Sequence, residues 1–120
     1  MTQRMERVAG EIREILGEIV ARGEIKDPRV HGAGIVTITH VRVSGDLRQA
    51  RVFFTAHGLD EESLLRVRQG LGSAAAFMRR RIGERLRLKS TPALVFEIDH
   101  VFEQEEKIDA ILIEVSEKKT

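Results

Sequence analysis

Residues 73–96, Ser-Ala-Ala-Ala-Phe-Met-Arg-Arg-Arg-Ile-Gly-Glu-Arg-Leu-Arg-Leu-Lys-Ser-Thr-Pro-Ala-Leu-Val-Phe, pass from an alanine-rich helix former into a dense run of cations and then, after a proline, into a strand. Met78, Ile82 and Leu86 are spaced as the buried stripe of a helix, which predicts helix from about Ala75 to Arg87. Arg79, Arg80, Gly83 and Arg87 then share the opposite side, and Arg81 and Arg85 flank the stripe. Pro92 ends the segment, and Leu94, Phe96 and Ile98 alternate as the inner face of a strand. Arg79, Arg80, Arg81, Arg85, Arg87 and Lys89 are opposed only by Glu84. Charge of that density calls for an anionic partner, and a phosphate backbone is the commonest one.

Working outward, residues 4–22 form an amphipathic pattern. Met5, Val8, Ala9, Ile12, Ile15, Leu16, Ile19 and Val20 recur at helical spacing, with Gly23 as the C-terminal cap. Glu24-Ile25-Lys26-Asp27-Pro28-Arg29 follows as a loop. Residues 35–43 predict a strand whose apolar phase switches between Ile38 and Val41, which implies a bulge near Thr39-His40. After a turn at Ser44-Gly45-Asp46, residues 48–56 alternate cleanly. Ala50, Val52, Phe54 and Ala56 lie on one face, and Arg51, Phe53 and Thr55 on the other. Asp60 caps a helix with Leu64, Val67, Leu71 and Ala75 on its inner face. Ile108, Ile111, Leu112 and Val115 mark a short terminal helix with an acidic outside. The order α-β-β-α-α-β-α contains no repeat or linker, so residues 1–120 read as one α+β domain.

The net charge of +1 conceals an asymmetry. Residues 78–89 carry a local +5 and residues 97–118 a local −6. Local fields govern binding, so the near-neutral total does not argue against nucleic acid. The chain has no cysteine, which excludes disulfides and thiolate metal sites. There is no long apolar run and no hydrophobic leader pattern, so a cytoplasmic location and no membrane partner are expected.

Catalytic groupings are missing from the pattern. His31, His40, His57 and His100 are scattered without metal-type spacing, and Gly32-Ala33-Gly34 precedes a strand rather than a helix. No enzyme, cofactor or small-molecule substrate is expected. Of the five phenylalanines, Phe54, Phe77 and Phe96 fit core positions, and Phe53 alone points from the sheet's other face. One ring is too few for a base-stacking platform, so recognition should rest on backbone charge and shape. The element order resembles the type-II KH RNA-binding fold, but no G-x-x-G occurs in the chain.

Three stretches bring the resemblance closer. Glu24-Ile25-Lys26-Asp27-Pro28-Arg29, then Val43-Ser44-x-Asp46-Leu47-x-x-Ala50-x-Val52, then residues 82–99 resemble in order the signatures of the ribosome-binding factor A family. Residues 108–112 fit its terminal helix. The resemblance implies a type-II KH-like fold with an interhelical kink, at Ala74, Ala75 and Ala76, in place of G-x-x-G. Ala76 stands where glycine is usual, so either the helices bend without a left-handed residue or the bend uses Gly72. The resemblance also implies a non-catalytic monomer binding the free 30S subunit and its 16S rRNA. It would assist late maturation and precursor 5′-end processing and support growth in the cold. On that reading Lys26, Arg29, Arg79, Arg80, Arg81, Arg85, Arg87 and Lys89 are the expected RNA contacts. The alternative is a protein-interaction module whose acidic terminal helix meets basic ribosomal proteins.

Overall fold

Thr2 opens the first helix, α1 (Gln3–Ala21), by accepting the Met5 N–H on its hydroxyl at 3.2 Å. Val8, Ala9, Ile12, Ile15, Leu16 and Ile19 are its buried stripe. The helix ends where Gly23 takes φ +66°; Gly23 and Glu24 return their N–H groups to Val20 and Ile19. This is a Schellman motif, and its left-handed residue accounts for the glycine. These features belong to a computed structural model that describes residues 2–101, Ile108 and Leu112.

The loop expected at 24–29 gives way to a one-turn helix, α2 (Pro28–His31). Asp27 is its N-cap and Pro28 its first helical residue, a pairing that favours helix initiation. Two strands follow, β1 (Val36–Val43) and β2 (Gln49–Ala56), antiparallel, with a register break between Ile38 and His40. The bulge therefore sits at the phase change in the sequence. The turn between the strands puts Leu47, not a glycine, at φ +59°. Asp46 accepts the Ser44 hydroxyl at 2.6 Å and the Arg48 N–H at 3.0 Å, which closes this turn.

Asp60 caps α3 (Glu61–Ser73) through the Ser63 N–H at 2.8 Å. Ala74 interrupts the helix at φ −93°, ψ 2°, and α4 (Ala75–Arg85) resumes. Ala75 therefore opens α4 rather than closing the inner face of α3. The last described strand, β3 (Ala93–Ile98), lies parallel to β2 and completes the sheet order β1-β2-β3. A parallel neighbour requires a crossover, and α3 with α4 supplies it. The helices cover one sheet face, where Val52, Phe54, Leu64, Leu71, Met78 and Ile82 are essentially inaccessible. Each of these larger apolar side chains contributes roughly 1.5–3 kcal/mol by burial.

Two further expectations are corrected. The basic helix stops at Arg85 rather than Arg87, because Leu86 turns extended at φ −109°, ψ 127°. Beyond it Leu86 and Leu88 are half-buried while Arg87 and Lys89 are exposed, a period-two alternation that a helix could not satisfy. Phe77 is half-buried at the margin of the core rather than inside it. The described part of the terminal segment is Ile108 and Leu112, both helical and exposed; Ile111 and Val115 lie outside the described residues. None of the described helices is long and apolar enough to cross a membrane.

Candidate nucleic-acid interface

Met78 and Ile82 anchor α4 at 0% exposure and fix which way its arginines project. Arg79 turns back to the chain entering β3. Its Nε donates to the Pro92 carbonyl at 3.0 Å and its Nη2 to the Thr91 carbonyl at 2.9 Å. Gly83 permits this approach, since a Cβ there would stand 3.0 Å from the Thr91 hydroxyl. Arg81 reaches Glu24 at 3.0 Å, and its guanidinium carbon lies 5.3 Å from the Phe77 ring centroid. Arg85 reaches Glu18 of α1 at 3.1 Å. Three of the six cations of residues 79–89 thus fasten α4 to its neighbours.

The loop residues behave similarly. Lys26 donates through Nζ to the Gly23 carbonyl at 3.0 Å. Arg29 donates Nε and Nη2 to the two Asp27 oxygens at 3.0 and 2.7 Å, and Nη2 also reaches the Ser73 hydroxyl at 2.9 Å. That hydrogen bonding to Arg29 pulls the Asp27 carboxyl down to about 2 and raises the Arg29 guanidinium. Ser73 immediately precedes the interhelical break, so Arg29 ties the loop to the α3–α4 junction. Arg81 ties the same loop to α4 through Glu24. The two stretches singled out in the sequence, the loop and the basic segment, therefore meet in the fold.

At the junction, Ala76 lies in α4, and Leu47 is the one non-glycine residue with positive φ among those described. Gly72 also lies outside the positive-φ region. The helices bend without a left-handed residue. The turn is made instead at Ala74, whose N–H is shared between the Gly70 and Leu71 carbonyls at 3.2 and 3.0 Å.

Arg80, Arg87 and Lys89 remain. All three are exposed and have no acidic partner or hydrogen-bond acceptor among the described residues. They follow one another from the outer side of α4 into the extended segment that leads to β3. A row of uncompensated cations on a braced frame is suited to phosphates, which need charge but little directional chemistry. Helix phase sets Arg80 and Arg87 apart from Arg81 and Arg85 but keeps Arg79 with them, and the carbonyls of residues 91 and 92 that engage Arg79 could not be read from the helix itself. Sequence reasoning also passed over Gly70, which carries no charge but sets the distance between α2 and α3.

The family model for ribosome-binding factor A matches residues 4–112. Ribosome-binding factor A of Geobacter sulfurreducens is 41% identical over 119 residues, covering 99% of this chain and 97% of that protein. A solution structure of a Thermotoga maritima ribosome-binding factor A superposes with a TM-score of 0.68 at 29% identity, over 79% of this chain and 86% of the other. Thermus thermophilus ribosome-binding factor A, as fitted into an electron-microscopy map of its complex with 30S, shares the fold at a TM-score of 0.58 and 22% identity, over 74% and 88% of the two chains. With a relative above two-fifths identity along nearly its whole length, this chain belongs to the ribosome-binding factor A family.

Proposed function

We propose that this chain binds the free 30S subunit through its 16S rRNA and assists late maturation without catalysing a reaction. Family membership supports the ribosomal target, as does the 30S complex of the Thermus thermophilus relative. The observation that carries the RNA assignment is the row Arg80, Arg87 and Lys89, without partners among the described residues, while Lys26, Arg29, Arg79, Arg81 and Arg85 are engaged within the fold. On this reading the first three hold phosphates and the others chiefly hold the frame. The α-β-β-α-α-β order is read as type-II KH-like, with the bend at Ala74, Ala75 and Ala76 in place of G-x-x-G. Residues 1–120 act as one domain and as a monomer. By favouring one RNA conformation through differential affinity, the protein promotes precursor 5′-end processing. The need for it is greatest in the cold, where misfolded RNA helices escape slowly.

The test is sedimentation with free small subunits across a salt series. Three phosphate contacts give a log K against log salt slope of about −2 to −3. Arg80→Glu combined with Arg87→Glu and Lys89→Glu should abolish co-sedimentation while leaving thermal unfolding unchanged. The same variant should fail to clear precursor 16S rRNA in deleted cells grown cold. Retention of binding by the folded triple variant removes this row from the mechanism.

A second reading has one observation of its own. Ile108 and Leu112 are exposed on a helix in the acidic part of the chain, a surface suited to a basic ribosomal protein. Binding to purified small-subunit proteins without RNA would favour it.

A further inference from the structure

The sheet face turned away from the helices presents His40, Arg42, Arg51 and Phe53 together. The register sets Arg42 directly across from Arg51 and His40 across from Phe53. The bulge is what brings His40 there. Without the extra residue, His40 would stay in phase with Ile38 and point into the core. As it is, the imidazole and phenyl centroids lie 5.9 Å apart with planes inclined by 38°. The Arg51 guanidinium carbon sits 5.4 Å from the Phe53 centroid. The single ring visible in the sequence is thus one part of a continuous surface of phenyl, imidazole and guanidinium.

A cleft of about 470 Å³ opens over these side chains, with Thr39 and Asp99 hydrogen-bonded to each other at its edge. That volume falls within the roughly 300–1,000 Å³ range of small-molecule sites. Charge is unevenly satisfied. Like charges facing each other across antiparallel strands repel. Arg51 is neutralised by Glu97 at 2.7 Å, whereas Arg42 is exposed and has no acidic partner among the described residues. Arg42 is thus the uncompensated member of the pair; a phosphate beside it would supply the missing counter-charge, and the aromatic surface next to it would take a base.

The geometry points to an unpaired RNA nucleotide as the ligand of this face, its base stacked on Phe53 with the inclined His40 ring against its edge, and its phosphate paired with Arg42. Stacking of this kind tolerates any base, so the site holds a single strand without reading sequence. The inference rests on the RNA-binding reading above but uses the opposite face of the sheet from α4. One protein could then grip structured RNA at the basic row and a neighbouring single strand here.

The test is an amide NMR titration of the full chain with hexauridylate and hexaadenylate. Shifts should cluster at His40, Arg42, Arg51 and Phe53, and Phe53→Leu and Arg42→Ala should each weaken binding about fivefold or more. Arg80→Ala with Arg87→Ala should leave the sheet shifts in place. Shifts confined to Arg80, Arg87 and Lys89 overturn this site and leave the basic row standing. Absence of shifts on the sheet also overturns it, while sedimentation with small subunits judges the basic row separately. If Phe53→Leu disturbs the whole spectrum, Arg42→Ala decides alone, and unchanged affinity in that variant overturns the site.

Discussion

Gly70 faces α2 across a gap too narrow for a side chain, and adding one methyl group there measures how firmly the gap is set. A Cβ at position 70 would stand 2.7 Å from Val30 Cγ2, 3.1 Å from Arg29 Cβ and 3.3 Å from Asp27 Oδ1. Carbon atoms prefer about 3.5–4.0 Å, so the first two contacts are repulsive. Val30 is buried and β-branched and has few alternative rotamers, so relief requires α2 to move off α3. Overpacking of this kind costs about 1–3 kcal/mol. Against it, replacing glycine by alanine in a helix gains about 0.8–1 kcal/mol. Gly10→Ala isolates that gain, because Gly10 is an exposed α1 residue with nothing within 4 Å of its added methyl. Gly10→Ala should therefore stabilise by nearly 1 kcal/mol, and Gly70→Ala should fall about 1–3 kcal/mol below it, the propensity term cancelling. Urea midpoints at unchanged m-value read the difference directly. Displacing α2 should also pull Arg29 away from Ser73, visible as amide shifts at the α3–α4 junction. If Gly70→Ala proves as stable as Gly10→Ala, the α2–α3 spacing is soft and the loop does not brace the junction.

Ala76→Gly should destabilise by about 1 kcal/mol, since Ala76 occupies ordinary right-handed helix; a gain in the denaturation midpoint would mean a strained residue there. The Asp27 carboxyl, held at about 2 by its hydrogen bonds from Arg29, takes up protons less readily in the folded chain than in the unfolded one. Its stabilisation is thus intact above about pH 4 and lost as pH falls toward 2; Asp27→Asn should flatten that limb of the acid-unfolding curve, and superimposable limbs would refute the pairing. Arg81→Ala, which strands half-buried Glu24, should lose about 1–2 kcal/mol, between exposed and buried ion pairs. Arg80→Ala should stay within about 0.5 kcal/mol of the parent in the same melt.

How far the sequence could be read depended on the range of the interaction responsible. The α1 stripe, the bulge at Thr39-His40 and the Asp60 cap are local patterns, and each lies where the pattern puts it. The α2 turn was also locally encoded, in Asp27 followed by Pro28, yet a proline after a short polar run reads equally as a loop. The end of α4 was legible in Leu86-Arg87-Leu88-Lys89, whose alternation belongs to extended chain, but the Met78-Ile82-Leu86 spacing carried the helix across it. The site was less legible. Helix phase sets Arg80 apart from Arg81, but it puts Arg79 with Arg80, and neither the Thr91 and Pro92 carbonyls that engage Arg79 nor the Glu24 that engages Arg81 can be read from α4 alone.

That separation has a physical consequence for binding. A flexible cation gains little from a phosphate, because ordering its side chain and its backbone offsets much of the attraction. Here the backbone is ordered in advance. Arg79 fastens α4 to residues 91 and 92, Arg85 fastens it to α1, and Arg81 and Arg29 fasten it and its junction to the loop. For Arg80, Arg87 and Lys89, chiefly the side chains then remain to be ordered on binding. The same +5 segment is therefore best regarded as two sets of charges. One set pairs with Glu18, Glu24 and the carbonyls of residues 91 and 92 and braces the segment. The other is uncompensated among the described residues, and if it holds phosphate as proposed, its affinity should fall when any member of the first set is removed.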